Sequence, residues 1–372
     1  MNDARPRSAH RVIFIDLARA IAVILMVAGH TSSALLATSY QSGRWFEIWT
    51  FQRGLTSALF LLLAGFAFSI ATTRHWATHL TLSPQVLKRA QRFAMFVVLG
   101  YALHLPTRPI WKLAGVTEPQ WRALFAVDVL QLIGVTLLIV QALVLISRSR
   151  RVFMGVSFGV AVAIVSASPY MWRMDWTRVV PLPLAAYLSP GTGSLFPLFP
   201  WVAYVLIGAA TGQVYARWGA ANMGTFARWG MLLPGALILG LASTVMWGIP
   251  SDVALRTGSC FLVMGCIALL SQRISQLPRA FGAVAQESLV VYFVHLCVVY
   301  GSVWNPGLSQ FYGHQMSLPV TLIFVAGVVI PMIALAVYWN RLKHARPGAA
   351  RWVSVAAGVV LGGLLLWPDV RP

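Results

Sequence analysis

The chain has 372 residues, of which 58% are hydrophobic and only 10% are charged, and it carries a formal net charge of +19. A water-soluble domain has about a quarter charged residues, so this composition excludes one and specifies an all-α, polytopic transmembrane helical bundle. The basic excess sits in short connecting loops, which makes it a topological signal and excludes nucleic acid as the expected partner.

Apolar runs long enough to cross a bilayer are predicted at 12–36, 52–73, 90–106, 126–146, 152–169, 197–215, 229–248, 254–272, 284–303, 317–339 and 351–368. They give about eleven spans in a single domain, 1–372, without a domain-scale repeat or a linker. The first run exceeds a signal-peptide core and no small-x-small cleavage site follows it, so it reads as a retained helix. Placing the N-terminus inside puts Arg5, Arg7 and Arg11 on the cytoplasmic side. The same choice places there Arg74 with Lys88, Arg89 and Arg92; Arg148, Arg150 and Arg151; Arg217 with Arg228; Arg273 with Arg279; and Arg341, Lys343, Arg346 and Arg351. The positive-inside rule is then satisfied, the odd count leaves Asp369 and Arg371 outside, and the expected location is a bacterial cytoplasmic (inner) membrane surrounded by lipid.

The first span carries Asp16, Arg19 and His30. Ionisable residues are expensive inside a bilayer and face a protein interior, pair with one another or mark a functional path. Asp16 and Arg19 are helical neighbours that can neutralise each other, either as a charge-balanced anchor or as part of a site. Arg19 and His30 return to nearly the same face at ~100° per residue, ~16 Å apart along the axis. One face therefore offers an ion pair near one surface and an imidazole, a general base at neutral pH, towards the other.

Lys88, Arg89 and Arg92 form a cationic face at the inner start of the third span. It reads as a positive-inside anchor or as a site for the phosphates of a cytoplasmic donor, and no glycine-rich phosphate loop accompanies it. Asp128 opens the fourth span. The outside segments 104–125 and 169–197, rich in Trp, Pro and Gly, read as an interfacial aromatic belt or as a surface that stacks on sugar rings; Gly191-Thr192-Gly193 is a turn. The ninth span opens with Gln286-Glu287-Ser288 and continues through Tyr292 to His295, which lies ~12 Å beyond Glu287 and not closely on its face. His104 and His314 are outside; His10, His75, His79 and His344 are inside and expected to be solvated. Cys260, Cys266 and Cys297 read as buried small hydrophobes. No spacing suits a metal, and no GxSxG elbow or serine triad is present, so direct base-assisted transfer is simpler than a covalent intermediate.

These residues carry a resemblance. The segment from Arg11 through Asp16-Leu-Ala-Arg19 to Met26-Val-Ala-Gly-His30 resembles the opening of the integral-membrane acyltransferases, with Arg19 and His30 in their Arg-x10-His pattern. Arg89-x-x-Arg92 resembles their inner Arg-x-x-Arg motif, and Leu59-Phe60-Leu61-Leu62-Leu63-Ala64-Gly65-Phe66 their second-helix signature. Leu130-Gln131-Leu132-Ile133-Gly134, and Phe199-Pro200-Trp201-Val202-Ala203-Tyr204 with Gly208, are similar to the heparan-α-glucosaminide N-acetyltransferase-like branch. Glu287-Ser288-Leu289 through Tyr292 to His295 is similar to a late signature common to that branch and to the acyltransferase-3 branch. The stretch 39–53 contains no histidine, so the His30 position follows the acyltransferase-3 pattern. The resemblance implies transfer of an acyl group, acetyl foremost, from cytoplasmic acyl-CoA to a sugar or glycan hydroxyl or amine at the periplasmic face. It implies His30 as catalytic histidine and the inner arginines as donor contacts.

The expected mechanism has His30 as general base, Arg19 paired with Asp16 supporting the donor or the oxyanion, and Lys88, Arg89 and Arg92 binding donor phosphates, with no metal cofactor. Glu287, Tyr292, His295 and Trp201 are further candidates. The alternative is a transporter or flippase for a lipid-linked or small polar substrate, which buried ionisable residues also suit but which commonly shows a repeat of spans. A sensor or scaffold would need a soluble partner domain or long tail, and neither is visible.

Overall fold

The computed structural model describes residues 12–219 and 221–367. The terminal charges used above for orientation (Arg5, Arg7, Arg11, Asp369, Arg371), with His10, lie outside them. In chain order the helices are α1 (Ile13–Leu35), α2 (Arg44–Thr73), α3 (Pro84–Leu103), α4 (Glu118–Phe125), α5 (Val129–Ser147), α6 (Arg150–Arg173), α7 (Leu182–Leu188) and α8 (Leu198–Val214). A π-helical turn joins α9 (Met223–Thr225) to α10 (Leu233–Thr244). Then come α11 (Gly248–Ser271), α12 (Arg279–Gln286), α13 (Ser288–Tyr300), α14 (Leu308–Tyr312), α15 (Leu318–Ala345) and α16 (Pro347–Leu366).

Nine of the described helical segments are long and apolar enough to cross a membrane, or ten if the bent pair α12–α13 counts as one span. The remaining expected span is α3, 20 residues long, whose Lys88, Arg89 and Arg92 dilute its apolar character. Two boundaries differ from expectation for identifiable reasons. Helix α2 begins at Arg44 rather than 52, after Gly43 at φ +83°, and its 30 residues are ~45 Å long against ~30 Å of hydrocarbon. Its first turns mix Trp45, Glu47 and Trp49, which hides them from a hydropathy reading. The ninth span is not one rod: α12 and α13 meet at 79°, the break falling at Glu287, which sits at φ −99°, ψ 21°.

Helices α2 and α8 form the tightest pair in the bundle because glycine removes the side chain where their backbones meet. A Cβ at Gly65 would overlap the Val205 carbonyl, and one at Gly208 would overlap the Leu62 carbonyl. Small residues serve this purpose in membranes, where burial in lipid supplies little drive and close packing supplies the affinity. Around them Phe14, Leu61, Leu62, Leu63, Phe66, Tyr204 and Leu206 are fully buried and tie α1 to the pair. A second cluster joins α1 to α12, α13 and α15 through Val23, Val27, Val284 and Val291. Helix α1 thus lies between two packed groups, with its charged residues towards the seam.

Helix ends are fixed locally. Ser83 caps α3, accepting from Val86 N at 3.4 Å with Pro84 in the first turn. The Asp128 carboxylate accepts from Val129 N at 2.7 Å at the start of α5, which an anionic side chain at a helix N-terminus favours. Cys260 is buried as expected, but Cys266 is exposed on the outside of α11 and Cys297 is intermediate, because an apolar run in a membrane faces lipid as readily as core.

Candidate functional site

Helices α1 and α13 run in the same direction: Arg19 shares a cavity with Ser288, Leu289 and Tyr292 at one level, and His30 meets His295 further along. His30 Nδ1 and His295 Nε2 are 2.9 Å apart, with ring centroids at 5.1 Å and 22° between planes. His295 is fully buried, and its Nδ1 lies 2.8 Å from the Val291 carbonyl oxygen. A carbonyl only accepts, so His295 Nδ1 carries a hydrogen and donates it. In the neutral ring Nε2 then holds the lone pair and accepts from His30 Nδ1–H. His30 is left with its lone pair on Nε2, the atom a general base needs free. The edge of Tyr300 packs on His30 at 5.8 Å and that of Tyr292 on His295 at 5.5 Å.

Two cavities lie near this pair, the smaller reaching it through Tyr292. One, of about 300 Å³, is lined by Arg19, Phe60, Phe68, Arg89, Phe93, Phe96, Ser288, Leu289 and Tyr292 among others. It ends at Tyr292, whose ring is in edge contact with His295. The second, of about 700 Å³, is lined by Arg92, Phe96, Gln286, Glu287, Leu289, Trp339, Lys343 and Arg351 among others. Phe96 and Leu289 line both, so the cavities adjoin. The bend between α12 and α13 builds the second: Glu287, 3% exposed, receives Lys343 Nζ on both carboxylate oxygens at 3.0 Å and Asn340 Nδ2 at 3.0 Å. Asn340 also donates to Gln286 Oε1 at 3.0 Å. A carboxylate left alone at this depth would be very costly, and a lysine with an amide neutralises and orders it.

Arg89 is pinned in the first cavity. Its Nη1 donates to Thr72 Oγ1 at 2.7 Å, its Nη2 to the Phe68 carbonyl at 3.3 Å, and the guanidinium stacks over the Phe68 ring at 4.2 Å. Its other neighbour is His79, buried rather than solvated as the sequence suggested, because the turn Trp76–Leu80 folds under α3 and α5. Burial, followed by the Arg89 charge, holds the His79 imidazole below the usual histidine range. A neutral His79 is the state its Nδ1 needs, 3.5 Å from Arg89 Nη1.

The cationic triplet of α3 is therefore divided. Arg89 lines the smaller cavity and Arg92 the larger one, while Lys88 is exposed and lines neither. Asp16 lines a third cavity, of about 590 Å³, with Ser275, Arg279, Asn340 and Arg341. Trp201 belongs to an aromatic group on α8, 4.6 Å from Phe196 and 5.7 Å from Tyr204, and lines none of the three cavities.

On the far side of the histidines the structure adds residues that sequence reasoning passed over. The Arg53 stem packs on Gly29, 3.3 Å from where a Cβ would stand, and its guanidinium lies over Trp49 at 4.7 Å within electrostatic reach of His30 and Tyr300. No carboxylate among the described residues pairs with it. Asp128 exerts its field on Tyr292 and Tyr300 and stands 3.9 Å from His104 Nε2. The available signal for Arg53 was a guanidinium without an acidic partner at helical spacing, at the very start of the second predicted span. No group of three or more metal-ligating side chains occurs among the described residues.

The arrangement is two adjoining, cation-lined cavities, with Tyr292 in the wall of the smaller one touching one of two hydrogen-bonded imidazoles. A search for known relatives gives one family, described as heparan-alpha-glucosaminide N-acetyltransferase, catalytic, which matches residues 11–249. No curated protein matches the chain.

Proposed function

The chain belongs to the heparan-alpha-glucosaminide N-acetyltransferase catalytic family, and from that premise we propose that it moves an acetyl group from acetyl-CoA on the cytoplasmic side of a bacterial inner membrane to an amino sugar or sugar hydroxyl on the other. The observation that carries this reading is the hydrogen-bonded His30–His295 pair beside Tyr292, which lines the smaller of two adjoining cavities and holds its ring in edge contact with His295. The adenine nucleotide of the donor occupies the larger cavity. Its pantetheine arm passes between Phe96 and Leu289 into the smaller one, where Arg89, with Arg19 across the cavity, offers donors to phosphate and amide oxygens.

The thioester then lies against Tyr292. His30 Nε2 accepts the proton of the acceptor amine or hydroxyl as its nitrogen or oxygen attacks the thioester carbon. The carbon–sulfur bond breaks, and the proton passes from His30 to the departing thiolate. His295 supports the step by accepting from His30 Nδ1, which steadies the positive charge that His30 acquires in the transition state. Arg53, Asp128 and Tyr300 face the acceptor. Lys88 acts at longer range, drawing the polyanionic donor to the membrane surface. Asp16 orders the inner end of α1, and Glu287 orders Lys343.

The test is transfer by the full chain in proteoliposomes, with labelled acetyl-CoA on one side and glucosamine on the other. Labelled N-acetylglucosamine, lost in His30→Ala while acetyl-CoA binding is retained, is the expected result. Undiminished transfer by His30→Ala refutes the base. Saturable solute flux by a folded protein that binds no acetyl-CoA refutes the enzyme and favours a transporter.

A further inference from the structure

The larger cavity holds more positive charge than its own acid can balance. Its one carboxylate, Glu287, is fully engaged by Lys343 and Asn340. Arg92 from α3 and Arg351 from α16 line the same space, and neither has an ion-pair, hydrogen-bond or ring partner among the described residues. The two guanidinium groups, both exposed, reach this one cavity from separate helices, and a phosphate matches their planar forks. Helix α16 has little else to hold it there. Ala350 is its one buried residue, and Trp304 Nε1 donates to the Leu361 carbonyl at 3.0 Å near its other end. Burial of Ala350 at the cavity brings the next residue, Arg351, to its wall.

We infer that Arg351 and Arg92 form a clamp for the 3′-phosphate of coenzyme A, so that the final helix, which lies beyond the family match at 11–249, completes the donor site. This rests on the donor reading above. The diphosphate and the 3′-phosphate are separate groups on the nucleotide, and the two cavities offer separate cations: Arg89 and Arg19 in the smaller, Arg92 and Arg351 in the larger. A dianionic monoester between two forks gains charge-assisted hydrogen bonds that its dephosphorylated counterpart lacks.

The experiment is calorimetric binding of acetyl-CoA and of its 3′-dephospho analogue to the detergent-purified full chain, for wild type, Arg351→Gln and Arg92→Gln. Wild type is expected to bind acetyl-CoA at least about tenfold more tightly than the analogue, the scale of one hydrogen bond to a charged group. Each variant is expected to lose that preference while its affinity for the analogue stays within about twofold of wild type, a result that also shows the variant is folded. Equal wild-type affinity for both ligands overturns the clamp and leaves the donor reading standing. A preference that survives Arg351→Gln overturns the role of α16. Binding of neither ligand by wild type overturns both.

Discussion

Replacing His295 by Phe tests the chemistry most directly, because it removes the hydrogen bond to His30, along with the one to the Val291 carbonyl, and keeps a ring in the same space. His295 is fully buried and accepts from His30 Nδ1 at 2.9 Å, so Phe preserves most of its packing. What is lost is the acceptor that fixes the His30 tautomer and that binds the imidazolium more strongly than the neutral ring. A hydrogen bond to a charged group is worth about 1.5–3 kcal/mol, which at 1.36 kcal/mol per decade is a loss of ~10–150-fold in kcat. Acetyl-CoA affinity should not change, since the lost interaction develops only as the proton arrives. His295→Gln, with a carbonyl that can accept from Nδ1, should recover part of the rate. The assay is CoA release with glucosamine as acceptor, alongside donor binding by calorimetry. His30→Ala should cost ~10²–10⁴-fold, and the double variant should be no slower than His30→Ala alone, because His295 acts through His30. A His295→Phe enzyme with unchanged kcat, or losses that multiply in the double variant, would refute the reasoning.

Other outcomes follow from the same geometry. Arg89→Gln should weaken acetyl-CoA binding by about tenfold or more, on the scale of a hydrogen bond to a charged group; isothermal titration with undiminished affinity would remove Arg89 from the donor site. Arg53→Gln should raise the acceptor KM and leave the donor dissociation constant alone, and a change in donor affinity instead would place Arg53 on the wrong side of the histidines. Gly65→Val should overpack the α2–α8 contact, where even a Cβ overlaps the Val205 carbonyl, costing at least ~1–3 kcal/mol; thermal unfolding in detergent should show a clear fall in midpoint. His79 supplies a pH dependence. Its folded pKa is lowered by burial and then by Arg89, so the unfolded chain binds the proton first as pH falls. The neutral form's stability is therefore whole above about pH 6.5, the ordinary histidine value, and is lost as pH falls from there through the lowered folded pKa. The unfolding midpoint of His79→Gln, measured between pH 8 and 5, should fall less steeply than that of wild type.

The single-helix features were legible in the sequence because one helix has one phase. The eleven-residue separation of Arg19 and His30 places both towards α13, where the structure has them. The pairing of His30 with His295 spans 265 positions and leaves no local trace, since either histidine alone reads as a polar group on an apolar helix. The triplet of α3 was visible as a patch but not as two sites. Arg89 and Arg92 differ by ~60° in phase, and whether that angle matters depends on α13 standing in front of α3 with a cavity on either side. Arg53 went unseen because aromatic and charged residues at the start of α2 lower its hydropathy and hide about two turns of helix before residue 52, leaving Arg53 as an end residue rather than one well inside the helix. The break before α13 was hidden because Gln286-Glu287-Ser288 read as the opening of a span and gave no hint of a 79° bend to a preceding helix. Its only marker was Glu287, an acid whose partner, Lys343, lies 56 positions away.

The hydrogen bond from His295 to the Val291 carbonyl has a consequence for energetics across the membrane. A peptide carbonyl cannot take up a proton at ordinary pH, so the chain of imidazoles that begins at His30 stops at α13 instead of continuing towards the interior. If His30 is the base proposed above, the proton it removes is handed back to a leaving group beside it rather than passed on through His295. Turnover through this pair moves no net charge through the bilayer by that route, and its rate should be indifferent to the transmembrane voltage at this step.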